Sequence, residues 1–434
     1  MLDPLAATFI LILVALLGAR FSFSSELVPP GPRLLLRTGT HFLFVGLALG
    51  PVGLGLLGPE ATTQLFPFLA LGLGWIGFHF GLQLDLATLK RFPRSHHLFA
   101  LGQAIVTLAL FMGLGWLALR MLDLDGSIPL LLLAVAASTA AVTTPAGIAL
   151  VSTNYLVRGK VRDLIFFVAS LDAAIGVTAL GVTIAIFRPD LIAAGIEAAP
   201  FGALLSVGVS VGLGLVCGIV FLWLVRVRPA SEELVLFILG ICAFSAGLAL
   251  QWGLSPLFVS LTMGVVVANF GRSPQRVFAV LQKWEKPVYV TFLLVAGALL
   301  QPVSWWVLPL TVGYAVLRFI AKGTAGAVLS RGPGFDFEIP TRVGLALIPQ
   351  GGISLAMAVS FILLFSGLEY RGVDAEALLF ATIVLGVVLS ELVGPFFTVR
   401  VLRRAGEISA DVEAALAAGD SAAARKAAWR RPDS

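Results

Sequence analysis

Stretches of about twenty consecutive apolar residues recur along almost the whole chain, and they limit what it can fold into more than any other feature. Each is long enough to cross a hydrocarbon layer as a helix, because a helix rises 1.5 Å per residue and the layer is about 30 Å thick. Thirteen candidate spans fall at 5–24, 34–57, 64–84, 98–122, 127–152, 163–187, 200–225, 233–251, 255–270, 285–301, 305–329, 343–365 and 376–398. The ninth and tenth are short, which leaves twelve as the alternative count. Composition agrees: charged residues make up 12% and the mean hydropathy is +1.00. Soluble domains carry about 25% charged residues. The expected fold is therefore an all-α integral membrane protein, and the net charge of +5 does not imply a nucleic-acid partner. The first apolar run has no basic segment before it and is too long for a typical cleaved signal, so it is read as a span.

Charge placement favours the odd count. With the N-terminus outside, the inner loops and the tail hold 24 of the 29 Lys and Arg residues, the positive-inside pattern of an inner (cell) membrane protein with a cytoplasmic C-terminus. Residues 405–434 form a short, Ala-rich tail, acidic first and basic at its end, in which a short helix is expected.

Within this frame, Ser138 to Thr178 carries the chemistry. Two apolar runs flank a basic loop (Arg158, Lys160, Arg162), and the second run contains one acid, Asp172. It lies about eight residues into its span, roughly 12 Å along the helix, near the middle of the layer. An ionised side chain there is costly, and the usual reason to keep one is an ion or proton pathway. The preceding run is interrupted by Thr143, Thr144 and Pro145. A proline in that position frees the carbonyl of Ala141. Ser138, Thr139, Thr143 and Thr144 add hydroxyls, so the group suits a hard monovalent cation at Asp172 together with a proton. Membrane hydroxyls also commonly bond back to their own helix, and one or two of the four are expected at the ion.

A second interruption, Pro349-Gln350-Gly351-Gly352 with Ser354 beyond it, lies seven spans later. An odd offset places the two copies in opposite orientations. Paired breaks in inverted halves point to a transporter binding site. Spans one to six and eight to thirteen then form the repeats, with 200–225 as the connector.

Arg318 and Lys322 stand one turn apart on the eleventh span. Lys322 is expected to snorkel to the inner surface. Arg318 is too deep for that and should face an acid, for which Glu391 is a candidate, or freed carbonyls. His79 reads as a hydrogen-bonded packing residue, Trp305 and Trp306 as interfacial anchors, and Cys217 and Cys242 as packing residues.

Val45 with GLALGPVGLGLL at 46–57, FHFGLQLDLATLKR at 78–91, SPLFVSLTMGVVVANF at 255–270, ALIPQGGISLAMA at 346–358 and SELVGPFFTVRVLRRAGEI at 390–408 are together similar to the monovalent cation:proton antiporter superfamily. The resemblance implies a transmembrane domain over 1–404 with two crossed, discontinuous helices, the fifth and twelfth. A mobile ion-transporting core would comprise 98–187 and 305–398. A scaffold of 5–84 and 233–301 would dimerise. The resemblance also implies that Asp172 is the ion-binding acid and that Arg318 or Lys322 is the family's basic residue. Where relatives commonly carry a second acid or an Asn, this chain has Leu171, and it has Thr144 where some carry Asp between Thr and Pro.

The expected function is thus exchange of Na+ or K+ for a proton by alternating access, one for one and without net charge movement, with no cofactor. A channel or uniporter using the same broken-helix cavity is the alternative. No nucleophile–base pair or ligand cluster supports an enzyme.

Overall fold

Proline, glycine and loop polarity cut the apolar sequence into helices close to the expected spans. The computed structural model describes residues 39–57, 65–188, 200–227, 229–301, 304–332, 334–335 and 337–418, with Leu13, Asp420, Ala423 and Lys426 as single positions. The expected first span, the first residues of the second, and Arg425, Arg430 and Arg431 of the tail lie outside them.

The described helices are α1 (His41–Leu49), α2 (Phe66–Leu82), α3 (Arg94–Met121), α4 (Ser127–Ala141), α5 (Pro145–Asn154), α6 (Lys160–Phe187), α7 (Pro200–Leu224), α8 (Ser231–Gln251), α9 (Pro256–Phe270), α10 (Pro274–Ala298), α11 (Val307–Leu329), α12 (Gly352–Leu364), α13 (Ala375–Arg404) and α14 (Ala410–Ala417). A one-turn helix, Leu86–Leu89, is capped by Asp85, and a 3-10 helix, Val343–Leu347, precedes α12. Among the described residues seven helical stretches are long and apolar enough to cross a membrane, the α4–α5 pair counting as one, and α2, α9 and α12 are shorter apolar helices. The protein is a multi-pass membrane protein.

Three places depart from expectation. Helix α1 ends at Leu49, eight residues before the end expected at 57. The span expected at 285–301 is the second half of a helix that starts at Pro274, with a polar first half. Between α12 and α13 the chain makes a hairpin, Glu369–Tyr370 against Val373–Asp374. Its two-residue turn, Arg371-Gly372, has positive φ at both positions (51° and 76°), the geometry that matches strand twist.

Helices α3, α4, α6, α11 and α13 pack on one another around the two breaks, while α2 packs against α8, α9 and α10. Close backbone approach holds α2 to α9: a Cβ on Gly81 would lie 2.7 Å from Gly264 Cα. With little hydrophobic driving force inside lipid, such small-residue contacts supply dispersion energy between helices.

The tail is tied to the helix that carries Asp172. Glu407 accepts hydrogen bonds from the backbone N–H groups of Val161 (2.7 Å) and Arg162 (2.9 Å) in the first turn of α6. An anion there satisfies orphan donors and faces the positive end of the helix dipole. Burial raises the Glu407 carboxyl, and the two N–H bonds offset part of that rise. The Arg403–Glu413 pair (2.5 Å) then fixes α14. Removing the cap in Glu407→Ala should cost about 1 kcal/mol. It should also speed tryptic release of the tail several-fold, read as loss of the full-length band. An unchanged cleavage rate would mean that α14 is held by other contacts.

Candidate functional site

Helix α4 stops at Ala141 because Pro145, four residues on, has no N–H to give. Val142 and Thr144 take extended backbone (ψ 141° and 125°), and Pro145 opens α5 as its first residue. The second break is made by Ile348 to Gly351, between the 3-10 helix and α12. The two breaks touch: Thr144 N–H donates to Pro349 O at 3.1 Å. Gly147 and Gly394 flank Pro349 so closely that a Cβ on either would come within 2.7–2.8 Å of it.

Asp172 is the thirteenth residue of α6, about 18 Å along a helix of about 42 Å, and it is fully buried. That is a turn further in than expected, because α6 begins at Lys160. Its Oδ1 accepts from Thr143 N–H (3.0 Å), and its Oδ2 accepts from the Thr143 hydroxyl (2.7 Å) and from Lys322 Nζ (2.8 Å). Thr143 has one hydroxyl hydrogen and a second acceptor within reach, Leu347 O at 2.9 Å.

Lys322 does not snorkel. Its side chain is completely buried, and Nζ donates to Ala141 O (2.6 Å), Thr143 Oγ1 (2.7 Å) and Asp172 Oδ2 (2.8 Å). All three ammonium hydrogens are therefore used. The carbonyl that Pro145 frees is one of the three acceptors.

Arg318, one turn earlier, donates to backbone carbonyls of both breaks. Nη1 reaches Ala140 O, and Nη2 lies 2.8 Å from Val142 O, 3.0 Å from Ile348 O and 3.2 Å from Leu347 O. A helix C-terminus presents unpaired carbonyls and a negative dipole end. Two such ends meet here, and one guanidinium neutralises both. Of the two expected kinds of partner for Arg318, the freed carbonyls are the ones it meets, while the candidate acid Glu391, on α13, accepts from the Thr40 hydroxyl.

The remaining candidates sit around this centre. The Ser138 hydroxyl bonds back to Ala134 O (2.8 Å) and that of Thr139 to Ala136 O (2.8 Å), so neither reaches the carboxylate. Thr144 is engaged through its backbone, and its hydroxyl has no hydrogen-bond partner among the described residues. Gln350 bridges the breaks: Nε2 lies 2.9 Å from Thr139 O, 2.8 Å from Tyr314 Oη and 3.3 Å from Ser354 Oγ, while Oε1 accepts from Ser390 (3.2 Å). Tyr314 and Ser390 carried no signal of their own in the sequence, although Tyr314 lies four residues before Arg318 and so on the same helix face. Away from the site, the His79 ring packs at a tilt against Phe278 (centroids 5.0 Å apart), and its Nδ1 has no partner among the described residues.

A fully buried carboxylate–ammonium pair is held here by backbone freed at two helix breaks, and paired interruptions of this kind point to a transporter binding site. Comparison with known families decides which transporter. The family profile described as "Sodium/hydrogen exchanger, transmembrane" matches residues 6–404. The chain belongs to the sodium/hydrogen exchanger family. This exchanger is accordingly a cation/proton transporter and not an enzyme. No curated protein sequence matches it significantly. Among solved structures it is similar in fold to the sodium proton antiporter MjNhaP1 from Methanocaldococcus jannaschii. The structure of that protein at pH 8 matches with a TM-score of 0.66 and 16% identity over 93% of this chain and 99% of the other. A second structure of MjNhaP1, from electron microscopy, matches with a TM-score of 0.63 and 16% identity over all of both chains.

Proposed function

We propose that Asp172 is the acid at which the transported Na+ or K+ binds, with one proton exchanged per cation in an alternating-access cycle. The observation that carries this reading is the set of oxygens around Lys322 Nζ. A carboxylate, a hydroxyl and a freed carbonyl, 2.6–2.8 Å from the nitrogen, hold the ammonium as they would hold a monovalent cation. Lys322 and the transported ion therefore compete for one nest of oxygens, and the ion enters as the lysine withdraws. Thr143 and Asp172 supply the side-chain ligands, and Arg318 keeps the two helix ends together throughout.

Charge counting supports exchange without net charge. The Asp172–Lys322 pair is neutral. Cation bound to ionised Asp172 beside charged Lys322 gives +1, and protonated Asp172 beside charged Lys322 also gives +1. The two loaded forms thus present the same charge to the hydrophobic barrier. If the proton leaves from Lys322 instead, the loaded forms are both neutral. Only a cycle that protonates both groups on the return would carry two protons per cation, and Leu171 offers no further acid. Proteoliposomes held at equal pH and cation concentration on both sides should therefore show no uptake when a membrane potential is imposed. Uptake driven by potential would overturn the one-for-one stoichiometry.

In this reading α3–α6 and α11–α13, with their broken helices crossed, form the moving core, and α7 connects it to a scaffold that pairs with a second copy. The N-terminus faces outward and the tail lies in the cytoplasm. The deciding experiment adds Na+, K+ or Li+ in turn to acid-loaded vesicles containing a pH dye. Dequenching by at least one of them, absent from empty vesicles, is expected. Cation flux that proceeds with no proton movement would make the protein a channel or uniporter.

A further inference from the structure

On the side where the basic loops lie, four helix ends surround a cavity of about 530 Å3. They are the ends of α7 and α9 and the starts of α8 and α10. Its inner wall is apolar and buried, with Phe221, Leu234, Val267 and Val277. Its lining also includes three arginines, Arg226, Arg272 and Arg276, and, among the described residues, no acid. Arg276 is held in place, donating from Nη2 to Pro229 O at 2.6 Å. Arg226 and Arg272 are exposed and have no hydrogen bond or ion pair among the described residues. The acids that follow in sequence, Glu232 and Glu233, open α8, and Glu233 is occupied by Ala230 N–H (2.9 Å).

Two more features say what fits. Trp223 and Phe270, both on the cavity lining, are 69% and 77% exposed. They stand at the ends of membrane helices, at the depth where aromatic side chains meet headgroups. The cavity also includes Ser273 and Pro274, where the 25-residue α10 begins with its positive dipole end. Unpaired guanidinium groups select phosphate oxygens, whereas the apolar wall would have no use for a soluble anion.

We propose that this cavity binds an anionic phospholipid from the leaflet on the basic side. Arg226 and Arg272 hold its phosphate, and an acyl chain lies along Phe221 and Val267. The bound lipid ties the ends of α7, α8, α9 and α10 together. This assignment stands independently of the ion site, since none of its residues touches Asp172 or Lys322.

The test uses the full chain in a neutral detergent, with dioleoyl phosphatidylglycerol, dioleoyl phosphatidylcholine or inorganic phosphate added at equal phosphorus concentration. Phosphatidylglycerol should raise the melting temperature and remain bound in native mass spectra, and the other two should do neither. In the Arg226→Gln/Arg272→Gln variant the apparent affinity for phosphatidylglycerol should fall about 25-fold, at about fivefold per arginine. Equal effects of the two lipids, or undiminished binding by the variant, would overturn the proposal. A matching shift with inorganic phosphate would replace the lipid with a soluble anion. Should the variant not fold, competition between the two lipids on the unmodified protein decides, and a bound ratio near one refutes the site.

Discussion

Asp172→Asn should reduce cation-driven proton release to the level of empty vesicles while the protein still inserts and folds. The amide keeps the size of the side chain and can still accept from Thr143 N–H, but it cannot release a proton or neutralise a cation. It also leaves the Lys322 ammonium buried beside a neutral group. Breaking a buried pair by removing one partner costs about 3–5 kcal/mol. A drop in exchange alone would therefore not separate chemistry from instability. The double variant Asp172→Asn/Lys322→Gln removes both charges and should regain most of the lost melting temperature. It should still transport nothing, because neither side chain can then exchange a proton or neutralise a cation. If either variant retained exchange driven by a pH gradient, Asp172 would not be the ion-binding acid.

The parts of this site that were legible from the sequence are those set by local rules. An acid in an apolar run announces itself by its cost, and Pro145 and Pro349-Gln350-Gly351-Gly352 break helices wherever they occur. The free carbonyl of Ala141 follows from the missing N–H of Pro145. Depth along the helix alone suggests that Lys322 snorkels, but the direction of its side chain decides, and that direction is inward. Residues four apart share a helix face, so a buried Arg318 already implied an inward Lys322. Glu391 matches Arg318 in charge, but nothing in one sequence shows that α13 turns it towards Thr40. The hydroxyls divided according to the backbone. Ser138 and Thr139 lie within α4 and find i−4 or i−3 carbonyls, whereas Thr143 lies in the unwound segment and is left to serve Asp172. The cap from Glu407 to α6 spans 245–246 positions and has no local signature.

Arg318→Met should lower stability more than any single change outside the Asp172–Lys322 pair. The substitution keeps much of the stem's volume but removes the donors to Ala140, Val142, Leu347 and Ile348. A buried polar group left unpaired costs about 1–3 kcal/mol, and here the carbonyls of two converging helix ends are left facing each other. Even with relaxation, the loss should exceed about 3 kcal/mol. It would be read as a large fall in melting temperature in detergent, or as failure to accumulate in the membrane. Arg318→Lys should fall between the two, because one ammonium offers three hydrogens from a single point while the guanidinium spreads five over a fork. The pair of variants also separates two roles for this residue. If Arg318 holds the breaks together, melting temperature falls in the order Arg, Lys, Met, and the apparent cation affinity of the lysine variant follows its stability. If instead it acts on the ion by charge, the lysine variant keeps its affinity and the methionine variant melts like the unmodified protein. The carbonyl count around the guanidinium favours the first outcome.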